Sequence, residues 1–143
     1  MEKSLRFLID TKVWIESLLH QRNYQSCNRF FKSLRSELFS ISDFSLHSLA
    51  IILIRYKKAP LFKDFVRDVF ENGDTQLVSL DPIPQINAMA LVEAGKYDFD
   101  DAYQLCLAEK RKLTLVTLDC DFRKWKAPHV SPDEAIELYK QKL

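Results

Sequence analysis

Glycine is almost missing from this chain, with 2 in 143 residues. That scarcity argues against a glycine-rich phosphate loop and against a turn-rich all-β fold. Cysteine is sparse too. Cys27, Cys106 and Cys120 are an odd number with no CxxC spacing, so neither a disulfide framework nor a zinc site is expected. A reducing compartment suits them better. The longest apolar run, Leu49 to Ile54, falls far short of the ~20 residues of a membrane helix. Met1-Glu2-Lys3 leads into too short an apolar stretch for a signal peptide, so the expected location is cytoplasmic, with no membrane partner. Neither sign of charge dominates: the 21 basic and 20 acidic residues leave a net charge of +1. No global field draws nucleic acid to the surface, so any such binding must come from a local basic patch. Repeats, linkers and low-complexity segments are also lacking.

The chain does contain an ordinary core composition, 47% apolar and 29% charged, over a length that suits one domain spanning residues 1–143. Leu5 to Ile9 reads as a buried strand and Thr11 to Leu19 as a short helix. A helix is expected over Asn23 to Glu37, a strand over Leu38 to Ile41, and a helix over Asp43 to Lys57 with Ser42 as its N-cap. That helix is apolar almost all round, which predicts deep burial or packing against another chain. Pro60 opens a helix over Leu61 to Glu71 that ends at Asn72-Gly73. Leu77 to Leu80 is a strand, Asp81-Pro82 a turn, and Ile83 to Ala94 a helix closed by Gly95. A further helix runs from the acidic cluster at Asp98–Asp101 to about Lys110. Leu113 to Leu118 is a strand, Val130 a short edge strand, and Pro132 to Lys140 the last helix. Alternating strands and helices of these lengths predict a three-layer α/β/α domain with a central parallel sheet.

Chemistry gathers where apolar strands end in acid. Asp10 follows the first strand, and Asp119 and Asp121 follow the strand at Leu113 to Leu118. Asp100 and Asp101 open a helix. Sites in open α/β sheets form at the carboxyl ends of strands. If these strands are neighbours, the carboxylates converge, and several carboxylates held together need a neutralising ion. Mg²⁺ prefers carboxylate oxygens and water, and can supply an activated water for attack on a phosphoryl group. Taken one at a time, each Asp is also a good helix cap.

The sequence resembles the PIN domain family, and within it VapC-like toxins of toxin–antitoxin pairs. The resemblance rests on Phe7-Leu8-Ile9-Asp10-Thr11, on Asp101-Ala102 with the amphipathic helix that follows, and on Leu115-Val116-Thr117-Leu118-Asp119-Cys120-Asp121-Phe122. It implies a metal-dependent endoribonuclease using Mg²⁺ or Mn²⁺. Carried over by position, Asp10, Asp101 and Asp119 match the acidic catalytic and metal-binding motif residues, and Asp121 an often acidic further position. Thr117 and Asp100 are expected as outer contacts. The resemblance departs at Ile41 to Leu49, where Ser48 stands in the register of the family's glutamate, with His47 beside it. Ser48 cannot supply that charge. His47 could contact a ligand or phosphate, or simply be hydrogen-bonded in the core. Asp43, at the start of the same helix, is a first-turn dipole partner or a reach toward the site.

Basic residues near these motifs, Lys110, Arg111, Lys112, Arg123, Lys124 and Lys126, could hold RNA phosphates, as could Lys12. Trp125 could stack a base or pack on the surface. The apolar helix Phe44 to Ile54 and the segment with Phe62, Phe65 and Val66 predict surplus apolar surface for a homodimer or a cognate antitoxin, both of which the resemblance implies, or else an internal core. The readings in competition are a ribonuclease, a catalytically weakened PIN-like module that binds RNA or a partner protein, and a phosphoacceptor receiver domain. The receiver reading fits poorly, because it wants two adjacent acids after the first strand, where this chain has Asp10-Thr11.

Overall fold

The computed structural model describes residues 5–95, 97–119 and 129–143. Five short strands form one parallel sheet: β1 (Phe7–Ile9), β2 (Phe39–Ser42), β3 (Gln76–Val78), β4 (Thr114–Val116) and β5 (His129–Val130). Their spatial order is β3-β2-β1-β4-β5. Among the described residues seven α-helices surround them: α1 (Thr11–Leu18), α2 (Tyr24–Ser33), α3 (Asp43–Arg55), α4 (Ala59–Val66), α5 (Gln85–Glu93), α6 (Phe99–Arg111) and α7 (Pro132–Gln141).

The central strand β1 is fully buried, as a strand covered on both faces must be. Phe7 and Ile9 point into a core with Val13 and Trp14 of α1, Cys27 and Phe30 of α2, and Ala135 and Ile136 of α7. Leu8 points the other way, into a second core with Ala88 of α5 and Leu105 and Leu107 of α6. The same alternation holds in β4, where Val116 joins the first core and Leu115 the second. These are the three layers, and period-two side-chain direction is what separates them. Aromatic packing fills the first layer. Phe7 meets Phe30 edge to face at 5.9 Å, and Trp14 stacks on Phe31 at 4.4 Å.

Chain direction locates the site. From β1 the chain steps outward to β2 and β3, then returns to the other side of β1 for β4 and β5. The order reverses between β1 and β4, so the crevice of this sheet opens at their carboxyl ends. The register pairs Ile9 with Val116, which brings Asp10 level with Thr117.

Several elements are shorter than sequence patterning predicts. The helix expected through Glu37 stops at Ser33, because Leu34 turns extended and buries its side chain in the first core. A single 3₁₀ turn, Ser36–Leu38, then leads into β2. The helix expected over Leu61 to Glu71 is α-helical only to Val66 and widens into a π turn at Arg67–Glu71. Gly73 follows it, where a Cβ would lie 2.8 Å from the Asp68 carbonyl oxygen, so only glycine fits. Gly95 ends α5 in the left-handed conformation, with φ of 77°. The helix that looked apolar all round, α3, buries one stripe at Ser45, Leu49 and Leu53. It leaves Ile54 63% exposed. Phe65 is buried and Phe62 and Val66 pack against the first core, so that segment is absorbed by the core.

Candidate functional site

β1 ends at Ile9, and Asp10 becomes the N-cap of α1. Its backbone N–H donates to the Val116 carbonyl at 2.9 Å, which fixes it against β4. Its Oδ1 accepts from the Thr11 backbone N–H at 2.9 Å, and its Oδ2 from the Thr117 hydroxyl at 3.1 Å. Thr117 Oγ1 in turn accepts the Asp119 backbone N–H at 3.2 Å. One hydroxyl therefore ties the turn carrying Asp119 to the carboxylate of Asp10. From the other direction α6 opens with Asp98 as N-cap and Asp100 and Asp101 in its first turn.

These segments meet in an open cavity of about 920 Å³ whose lining includes Asp10, Asp100, Asp101, Asp119, Thr117 and Ser48. Like charges crowd there. Burial, then repulsion from Asp10, Asp98, Asp119 and Asp100, pushes the Asp101 carboxyl up to about 6. Burial likewise raises Asp10, against the pull of its hydrogen bonds from Thr117, Gln104 and Thr11. Among the described residues no three His, Cys, Asp or Glu side chains close around one point as a ligand set. The carboxylates instead face shared space. That donor chemistry fits a hard cation of the Mg²⁺ type, which is held by one or two carboxylates and keeps several waters.

The structure brings six of the sequence-expected site residues to this cavity: Asp10, Asp100, Asp101, Asp119, Thr117 and Ser48, along with Lys12. It does not bring His47, which is exposed on α3 and does not line the cavity. Asp43 is also elsewhere. Its Oδ1 accepts from the Tyr103 hydroxyl at 2.7 Å and the Phe44 N–H at 2.8 Å. The Tyr103 oxygen accepts the Leu80 N–H at 2.9 Å, so this pair ties α3, α6 and the end of β3 together. Lys110, Arg111 and Lys112 belong to the opposite end of α6. At 1.5 Å per residue Lys110 is roughly 14 Å along the axis from Asp101. Asp121, Arg123, Lys124, Trp125 and Lys126 lie outside the described residues.

Other residues enter that motif reading missed. Gln104 is buried beneath Asp10, and Ser45 lies beside it. Gln104 is three residues after Asp101, on the same face of α6, and that spacing was the available signal. From the expected Ser48, Ile52 and Arg55 continue an i, i+4, i+7 stripe on α3 along the cavity wall, and Tyr56 extends it.

The PIN domain family model matches residues 7–127, and the chain belongs to that family. Among solved structures it is similar to Mycobacterium tuberculosis VapC20, a sarcin-ricin loop cleaving toxin. The TM-score is 0.74 at 15% identity, over 88% of this chain and 99% of that one. It is similar to a chain of a toxin–antitoxin complex from Klebsiella pneumoniae, at a TM-score of 0.68, 18% identity, and 87% and 96% coverage. It is also similar to a chain of Rickettsia felis VapBC2 bound to a promoter DNA fragment, at 0.65, 15% identity, and 89% and 98% coverage. At these identities the likeness is one of fold. No curated protein matches the sequence significantly. Among the described residues no helix is long and apolar enough to cross a membrane.

Proposed function

We propose that the chain, read as one domain over residues 1–143, is a metal-dependent endoribonuclease that acts as the toxin of a toxin–antitoxin pair. The observation that carries this reading is the meeting of Asp10, Asp101 and Asp119, from three distant segments, in one cavity at the sheet's switch point. Family membership supports it, as do neighbours described as a sarcin-ricin loop cleaving toxin and as part of a toxin–antitoxin complex. Asp10, Asp101 and Asp119, joined by Asp121, would hold Mg²⁺ or Mn²⁺. Such an ion supplies an activated water and offsets charge on the phosphoryl oxygens. Asp101, with its carboxyl raised to about 6, holds its proton to higher pH than an ordinary aspartate, and a bound cation would favour its ionised form.

The chain's own cations have a different task. Lys12 and Arg55 line the same cavity as the acids, so a phosphodiester there meets positive charge on the wall beside the acidic floor. Tyr56, 55% exposed at the rim, offers a ring for an unpaired base. This grip at the end of α3 takes the place of Lys110–Lys112. Exposed Ile54, Ile83, Ile86 and Met89 offer apolar area to a second copy or to an antitoxin.

Ser48 favours a second reading, a weakened module that binds RNA or protein without cutting. It lines the cavity where a further carboxylate would add charge. Incubating the purified protein with structured RNA and Mg²⁺ or Mn²⁺, beside Asp10→Asn, separates the two. Cleavage by the wild type alone is expected. Intact RNA under every metal, or equal cutting by the variant, overturns the enzyme reading.

A further inference from the structure

Gln104 is 2% exposed in the middle of α6, and its amide is unevenly served. Its Nε2 donates to Ser45 Oγ at 3.0 Å and, at 3.5 Å, to Asp10 Oδ1. Its Oε1 is buried with no hydrogen-bond partner among the described residues. An orphaned buried carbonyl is a cost that an apolar side chain of the same size would avoid. Apart from the Ser45 bond that joins α6 to α3, the core gives no reason for an amide at this position.

The reason lies at Asp10. A carboxylate only accepts, so the amide NH₂ is the end that must face it. Ser45 Oγ takes the other amide hydrogen and shares a 2.7 Å hydrogen bond with the Thr11 hydroxyl. The Gln104 amide is thereby held from α3 and α1 at once. Each carboxylate oxygen has about two lone-pair sites. On Oδ1 they meet the Thr11 N–H and Gln104, while Oδ2 meets Thr117. One site on Oδ2 is left among the described residues.

We infer that Gln104 is a positioning residue that saturates Oδ1 of Asp10 and so presents a single lone pair of Oδ2 to a divalent cation in the cavity. The inference rests on the metal-dependent reading above, because it concerns how Asp10 is offered to that ion. It differs from a packing role for Gln104. A plug that merely joins α6 to α3 acts on stability, whereas an orienting donor acts on metal affinity. Hydrogen-bond partners of metal ligands affect affinity strongly.

The test is Gln104→Met, which keeps length and volume but removes both the donor and the orphaned carbonyl. Full-length, metal-stripped protein is titrated with Mn²⁺ by calorimetry, melted in EDTA, and titrated in EDTA with a fluorescent single-stranded RNA. Mn²⁺ affinity should fall about 10-fold. Tm should stay within about 3 °C of the wild type or rise. RNA affinity in EDTA should not change. Mn²⁺ affinity equal to that of the wild type overturns the inference. So does a loss matched by equal losses in Tm and RNA affinity, which marks general damage. A wild type that binds no Mn²⁺ overturns the metal reading and this inference with it. A wild type that binds while Gln104→Met binds equally overturns this inference alone. If Gln104→Met does not fold, Ser45→Ala decides: weaker Mn²⁺ binding supports the relay, and unchanged binding refutes it.

Discussion

Neutralising Asp101 should stabilise the metal-free protein, and the size of the effect should depend on pH. The carboxyl rises from the ordinary 3.8 to about 6 through burial and repulsion from Asp10, Asp98, Asp119 and Asp100. A raised carboxyl pKa means that the folded state binds the proton more tightly than the unfolded state does. The stability that Asp101 contributes is therefore fully present below about pH 4, is lost as pH rises from about 4 to 6, and stays absent above that window. A shift of this size corresponds to about 3 kcal/mol at the limit, which partial solvent access and screening reduce to roughly 1–2 kcal/mol. Asp101→Asn keeps the shape and removes the charge. In EDTA at pH 7.5 it should raise Tm by about 3–8 °C, given a chain of this length. At pH 4 the difference should shrink to a small fraction of that, because Asp101 is then protonated in the folded state and roughly half protonated in the unfolded one. Saturating Mn²⁺ should reverse the order, since the wild type gains more from the ion. Thermal melts by circular dichroism across pH 4–8, with and without Mn²⁺, read all three effects. An Asp101→Asn variant no more stable than the wild type in EDTA at pH 7.5, or equally stabilised at pH 4, would refute the crowded-carboxylate account.

Other perturbations probe the surrounding structure. Ser48→Glu should strengthen Mn²⁺ binding in a calorimetric titration on the order of tenfold, ~1.4 kcal/mol, by restoring a carboxylate to the cavity wall. Unchanged affinity would mean that the position is not within reach of the ion. Ser42→Ala removes the buried acceptor of the Ser45 N–H at 2.9 Å, and should cost about 1–2 kcal/mol in urea unfolding. Tyr56→Ala should weaken single-stranded RNA binding by about 1–3 kcal/mol while leaving duplex binding alone, and Arg55→Gln should reduce the salt slope of that binding by about 1. Anisotropy titrations at several salt concentrations check both, and equal losses on duplex and single strand would remove Tyr56 from the substrate grip.

Much of this was legible in the sequence because the signals were local and redundant. Phe7-Leu8-Ile9 followed by Asp10, and Leu115-Val116-Thr117 followed by Asp119, are buried strands that end in acid, and the parallel pairing of β1 with β4 makes them neighbours. Ser42 was legible as an N-cap, and its hydroxyl accepts the Ser45 N–H. What could not be read depends on three-dimensional placement. Lys110–Lys112 are near the acidic motifs in sequence, yet the length of α6 carries them to the far end of the layer. Arg55 is distant in sequence, yet the α3 stripe delivers it to the cavity. The apolar look of α3 hid which of its isoleucines face water, since Leu49 and Leu53 are buried while Ile54 is not. Gln104 sits within an amphipathic helix pattern, and only the approach of α3 and β1 turns its amide toward Asp10. The helix that stops at Ser33 was over-extended because Leu34 continues the apolar period while its backbone has already turned extended.

Everything proposed for this site depends on the carboxylates at the β1–β4 switch point holding a divalent cation. The most direct measurement is an anomalous difference map from crystals soaked in Mn²⁺, for the wild type and for Asp10→Asn. A peak in the cavity within coordinating distance of Asp10 Oδ2, and absent from the variant, is the predicted result. A well-soaked crystal with no peak there, or the same peak in Asp10→Asn, would contradict it.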